Sequence, residues 1–138
     1  SVTQSGNIVA DVWLKLWGNM TMNPISALTR STSDVILGDP LTREFAVRVM
    51  LEAKQIGEAL GIHIDMTPQQ RHEITRRLGR FKTSTLQDLE AGRPLEIDAL
   101  VAAPYELAQL VGVPAPWLGA LLGLSRQLAH NHLTASNA

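Results

Sequence analysis

Lys15, Asn19 and Asn23 recur at intervals of four within one of the most apolar stretches of the chain, Val12-Trp-Leu-Lys-Leu-Trp-Gly-Asn-Met-Thr-Met-Asn-Pro24. On an α-helix a step of four residues advances about 400°, so successive members drift only about 40° round the axis and form one stripe. Trp13, Leu14, Leu16, Trp17, Met20 and Met22 flank it. Burying an ammonium and two amides among such neighbours is costly unless each finds a partner. A lysine placed there can donate a proton to an oxygen acquiring negative charge, and partial desolvation lowers its pKa toward the working range. The amides can hold a substrate in register. A structural account competes: a satisfied polar cluster, or a lysine whose stem passes the tryptophans to reach water.

A second constellation lies far along the chain, at Ser84-Thr-Leu-Gln-Asp-Leu-Glu-Ala-Gly-Arg-Pro-Leu-Glu-Ile-Asp98. It joins a hydroxyl-rich helix entry at Ser84 or Thr85 to carboxylates at Asp88, Glu90, Glu96 and Asp98. Glu96, just after Pro94, reads as part of a helix's first turn, where the macrodipole favours an anion. Ordinary capping explains that position as well. Arg71, Arg76, Arg77 and Arg80 make one helix locally basic, either as a solvated face or as a contact for a cofactor phosphate or acidic partner. His130 and His132 point about 200° apart on a helix and cannot share a metal. His63 and His72 are isolated and read as surface residues. No GxGxxG, Walker loop or HExxH occurs, so neither a phosphate cradle nor a metal site is expected.

The elements that must carry these residues are helices separated by proline and glycine. The first is expected from Ile8 to Asn23, because Pro24 disfavours helical geometry in the residue before it. Pro24 then opens a short second helix through Leu28. Thr29 to Asp39 reads as a loop pinned by Val35, Ile36 and Leu37. Asp39-Pro40 and Thr67-Pro68 are cap-then-proline starts. The first leads into Phe45, Val49, Ala53, Ile56 and Leu60 before Gly61; the second leads into Ile74 and Leu78. A short helix follows from Ser84 to Ala91, closed by Gly92. Pro94 to Val111 is next, with a kink or break expected at Pro104. The last helix starts at Pro114 or Pro116 and runs to about His132, leaving a frayed tail from Thr134 to Ala138. The expected class is all-α, a single domain of six to eight helices.

The bulk properties agree. The chain has 138 residues, 45% hydrophobic and 18% charged, enough for one domain with a core. A net charge of −1 supplies no broad attraction for nucleic acid or an anionic membrane. With no cysteine, disulfides, thiolate catalysis and cysteine-bound zinc are excluded. No apolar run suits a membrane span and no secretory signal is visible, so a cytoplasmic setting is expected. The abrupt start at Ser1, without methionine, reads as a piece of something longer.

The stretch Lys15-Leu-Trp-Gly-Asn-Met-Thr-Met-Asn-Pro-Ile-Ser-Ala27 resembles the lysine-bearing helix of ketopantoate reductases (2-dehydropantoate 2-reductases). Ser84 to Asp98 resembles their signature near the substrate pocket, and Gly112-Val-Pro-Ala-Pro116 resembles their turn into the last helix. The resemblance implies a helical, 6-phosphogluconate-dehydrogenase-like C-terminal domain over residues 1–138, without the N-terminal Rossmann domain that binds NADPH. It implies Lys15 as general acid, Asn19, Asn23 and Ser84 as substrate-orienting groups, and Glu96 as the carboxylate that receives a substrate hydroxyl. It further implies a 2-oxo acid substrate such as ketopantoate, an NADPH cofactor, a role in pantothenate biosynthesis, a possible homodimer, and inactivity of these residues alone. Thr83 and Thr85, where the family often has Pro and Met, together with Val101, Ala102 and Pro104, depart from the pattern. Those departures widen the substrate range to another 2-oxo acid or a β-keto acid. The reading from another class is a non-catalytic helical dimerisation or interaction module, for which Trp117, Leu118, Leu121, Leu122 and Leu124 would supply an apolar face.

Overall fold

Helix α1 (Val2–Thr29) passes unbroken through Pro24, contrary to the expected stop at Asn23. A proline inside a helix removes one backbone hydrogen bond and costs about 3 kcal/mol in an exposed helix. Here that local cost is outweighed, because every residue from Met20 to Ala27 is buried. A helix buried all round is the centre of its domain. α1 packs against α2 (Ser33–Gly38), α3 (Pro40–Ala59), α5 (Ser84–Glu90) and α7 (Pro116–Asn137). Burying each large apolar side chain contributes about 1.5–3 kcal/mol, and Trp13, Trp17, Met20, Met22 and Ile25 all point into the core.

The computed structural model describes residues 2–137, and side chains over 8–133 other than those of residues 9 and 10. Among the described residues there are seven α-helices, one π-helical segment and no strand, as the all-α expectation requires. α4 (Pro68–Arg77) and α6 (Ala103–Val111) complete the set. No helix is long and apolar enough to cross a membrane among these residues.

Two helix starts form as their sequences dictate. The Asp39 carboxylate accepts from the backbone N–H groups of Leu41 and Thr42. Thr67 and Gln70 form a reciprocal capping box ahead of α4. Gly61, Gly92 and Gly112 take the left-handed conformation after α3, α5 and α6 that glycine adopts without steric cost.

Other expectations are corrected. The supposed loop after Thr29 contains α2, whose Ile36 and Leu37 are buried while Val35 is exposed. α1 ends instead on Arg30, in the left-handed region at φ 55°, with the Ser31 N–H returning to the Ser26 carbonyl. On α4 the buried residues are Pro68, His72 and Thr75, whereas Ile74 and Leu78 lie exposed. Thr83, not Ser84 or Thr85, caps α5, its hydroxyl accepting from the Leu86 N–H. The disturbance expected at Pro104 occurs just before it, as a π-helical segment over Asp98–Ala102. There the Ala103 N–H reaches back five residues to the Asp98 carbonyl. The last helix continues through Asn137, so the expected fraying from Thr134 is not found in its backbone; Ala138 lies outside the described residues.

Two contacts lock α3 into place. The Trp17 indole N–H donates to the Met50 carbonyl at 2.7 Å. A methyl group at Gly57 would stand 2.5 Å from the indole nitrogen of Trp13, so glycine there lets α1 and α3 close together. On its other side α3 presents Glu52, whose buried carboxylate accepts from the backbone N–H groups of Trp117 at 3.1 Å and Leu118 at 2.8 Å. It caps the first turn of α7 from another helix, satisfying two donors that no intrahelical carbonyl can reach. Glu52→Ala is expected to destabilise the domain by about 1–3 kcal/mol by orphaning them. Equilibrium urea unfolding measures this, and an unchanged midpoint would show that water serves those N–H groups equally well.

Candidate functional site

The polar stripe of α1 runs from solvent into the core. Lys15 is exposed, Asn19 half-buried and Asn23 buried, with 9% of its surface accessible. Asn23 resolves the cost of that burial by donating through Nδ2 to the Ser84 hydroxyl at 3.2 Å. This bond joins residues 61 positions apart and ties the two sequence constellations to one another. Ser84 is free to accept because its neighbour Thr83 does the capping, and the Thr83 hydroxyl also donates to Ser26 Oγ at 3.0 Å. α5 is thus fastened to α1 by two adjacent hydroxyls.

Asn19 and Asn23 line a recess of about 180 Å³ together with Gly18, Arg71, Phe81 and Thr83. Lys15 lines a shallower hollow beside it, with Asp11, Leu14, Met66, Arg71 and Ile74. The burial expected for Lys15 is not found within this domain, where the side chain is exposed to solvent. Glu96 is exposed and lines neither hollow. It stands just ahead of the helical turn that begins at Ile97, rather than inside a first turn. The structure therefore joins Asn23 to Ser84, sets Asn19 and Asn23 in one recess and Lys15 in the adjoining hollow, and leaves Ser84 and Glu96 outside the lining of both.

Arg71 is the residue that the sequence reading undervalued. It belongs to both hollows. Its guanidinium donates to Thr75 Oγ1 at 3.0 Å and lies over Gly18, where a Cβ would stand 2.8 Å from Nε and Nη2. Glycine inside a helix costs roughly 0.5–1 kcal/mol relative to alanine, so Gly18, between Lys15 and Asn19, marks the room this guanidinium occupies. Arg76 is likewise not simply solvated. Its Nη2 and the Nη1 of Arg43 both donate to the Leu37 carbonyl, at 3.1 and 3.0 Å, and so finish the C-terminal end of α2. Arg77 fits the solvated reading, exposed and 3.9 Å from Glu73.

No group of side chains able to hold a metal occurs among the described residues. Nor do they include the strand and glycine-rich turn that would seat a dinucleotide.

A family model described as "Ketopantoate reductase PanE/ApbA C terminal" matches residues 7–129. The chain is 50% identical over 123 residues to the 2-dehydropantoate 2-reductase of Mesorhizobium japonicum, covering 89% of this chain and 38% of that protein. Among solved structures it is similar to the 2-dehydropantoate 2-reductase of Geobacter metallireducens, with 30% identity and a TM-score of 0.78 over 83% of this chain and 39% of that one. It is also similar to the dimeric ketopantoate reductase of Staphylococcus aureus, with 25% identity and a TM-score of 0.76 over 91% of this chain and 44% of that one. The chain spans well under half the length of the curated relatives it matches.

His72, expected at the surface, is 5% exposed, and its Nε2 has no hydrogen-bond partner among the described residues. Burial, reinforced by the charges of Arg76, Arg71 and Arg43, pushes its pKa down from 6.5 to about 4. It is therefore neutral at pH 7. As pH falls from 6.5 toward 4 the unfolded chain takes up a proton that the folded one resists, so stability is lost across that window. The expected loss between pH 7 and pH 5 is about 1–2 kcal/mol, and His72→Leu should flatten it. Urea midpoints at the two pH values check this; parallel curves for parent and variant would assign the acid sensitivity elsewhere.

Proposed function

The chain belongs to the ketopantoate reductase family, and from that premise we propose that it is the helical C-terminal domain of a two-domain, NADPH-dependent reductase of a 2-oxo acid such as ketopantoate. The observation that carries the reading is the Asn23–Ser84 hydrogen bond, which joins the family's two substrate-side motifs beside the hollow that holds Lys15. NADPH would supply the hydride from a Rossmann domain, because the described residues offer it no seat. The work of this chain is the rest: holding the acid, orienting its carbonyl and delivering a proton.

Lys15 would give that proton to the C2 oxygen as negative charge develops there, the ordinary use of a positioned ammonium. Asn19 and Ser84 would hold the acid in register, and Asn23, already bonded to Ser84, would fix that hydroxyl's direction. Glu96 would receive a substrate hydroxyl from outside the two hollows, at the cleft between domains, where substrate pockets commonly form. The face around Lys15 exposes Ile8, Val12 and Ile74, apolar surface suited to the second domain. Closure there would supply the desolvation that this domain lacks. Of the five apolar residues expected to face outward on α7, Leu118, Leu121 and Leu122 are buried in this domain's own core; the exposed Trp117 and Leu124 would serve a homodimer of the kind named for the Staphylococcus aureus relative. Nothing in the sequence conflicts with a cytoplasmic site of action.

In the full-length protein, with ketopantoate and NADPH, Lys15→Ala should lower kcat by about 10²-fold or more, the scale of a lost general acid. Absorbance of the reduced dinucleotide follows the reaction, and near-normal turnover would remove Lys15 from the mechanism. Glu96→Gln should act mainly on KM for a hydroxylated substrate; an unchanged KM would mean that the natural acid lacks that hydroxyl. Residues 1–138 alone should neither turn over substrate nor bind NADPH with micromolar affinity, and calorimetry on this piece would expose the opposite.

A further inference from the structure

We propose that Arg71 binds the carboxylate of the 2-oxo acid and thereby sets the reacting carbonyl against Lys15. This rests on the reading of Lys15 and Asn19 given above and adds to it a residue outside both motifs.

Arg71 is the point where the two hollows meet, lining the recess of Asn19 and Asn23 as well as the hollow of Lys15. Among the described residues lining the recess it is the only side chain that carries a full charge at neutral pH, since the neighbouring His72 is neutral there. Its guanidinium spends one donor on Thr75 and forms no ion pair among the described residues. The half-buried cation thus lines a largely apolar recess with donors to spare. A guanidinium presents those donors as a rigid planar fork that matches a carboxylate, a geometry that lysine cannot reproduce. Gly18 supplies the independent sign that the position is built, because only a residue without Cβ leaves the fork its place against α1, in the turn between Lys15 and Asn19. A 2-oxo acid carries its carboxylate on the carbon next to the carbonyl. Anchoring the one on Arg71 presents the other toward Lys15 across the hollow they share.

The test compares the full-length parent, Arg71→Lys and Gly18→Ala on ketopantoate and on its uncharged methyl ester. The parent should prefer the acid. Arg71→Lys should raise KM for the acid by about 10- to 100-fold, the worth of a charge-assisted pair, with the ester little changed, so that the preference collapses. Gly18→Ala should keep or raise Tm, because alanine favours the helix, yet move the guanidinium aside and weaken acid binding in the same direction. Added guanidinium ion should restore acid turnover to Arg71→Ala. A parent that reduces neither compound overturns the reductase reading, and this assignment falls with it. An active parent whose acid preference survives Arg71→Lys overturns the assignment alone. Equal loss of acid and ester would do the same, making Arg71 structural.

Discussion

The burial on all sides of the Met20–Ala27 stretch of α1 is the constraint from which the rest of the molecule follows. A helix that enters the core lengthwise cannot keep a polar stripe uniformly wet, and the stripe here grades from an exposed ammonium to a buried amide. An unsatisfied buried amide costs about 1–3 kcal/mol. Asn23 therefore needs a partner, and the Ser84 hydroxyl meets that need from a segment far away in sequence. The same burial holds α1 together through Pro24. Two requirements with nothing in common locally are met by the neighbours that surround one helix.

Position in the second constellation is set by a division of labour between adjacent hydroxyls. Thr83 accepts from the start of α5 and donates to Ser26, which itself donates to the Ser31 carbonyl where α1 ends. That chain fixes the entry of α5 without using Ser84. Had Ser84 been the cap, its oxygen would be aimed at its own helix and Asn23 would lose its acceptor. Capping by Thr83 and the bond from Asn23 to Ser84 are served one residue apart.

What the sequence disclosed and what it hid follow the range of the forces involved. Asp39-Pro40, Thr67-Pro68 and the glycines at 61, 92 and 112 were legible because a cap or a left-handed turn is decided within a few residues. Pro24 was misread because its local rule is sound and was outweighed by packing. α2 looked like a loop because a six-residue helix has little stability of its own; its last turn is finished by Arg43 and Arg76 from two other helices. The inward face of α4 was inverted for a related reason. Its polar His72 and Thr75 face the core and its Ile74 does not, so hydrophobic pattern pointed the wrong way. The site residues showed as two separate patterns. Spacing aligned Lys15, Asn19 and Asn23, but only the family resemblance linked them to Ser84. The clearest unread signs were Gly18 and Gly57, helix-interior glycines that each make room for a side chain from another helix.

The exposure of Lys15 then has a physical sense under the proposed reading. A general acid works best when the oxygen it protonates is sheltered from water, because a screened charge stabilises little. An ammonium sealed permanently inside this domain would carry a large desolvation cost, which the one carboxylate lining its hollow, Asp11, need not offset. Leaving Lys15 at the rim avoids that cost until a second domain and an anionic substrate arrive together. The groups that need fixed geometry are instead built into the wall: Asn23 held by Ser84, and a guanidinium seated on Gly18. Under the same reading a chain with a net charge of −1 needs no overall positive field to attract an acid, because Lys15 and Arg71, which line one hollow, would act on it locally.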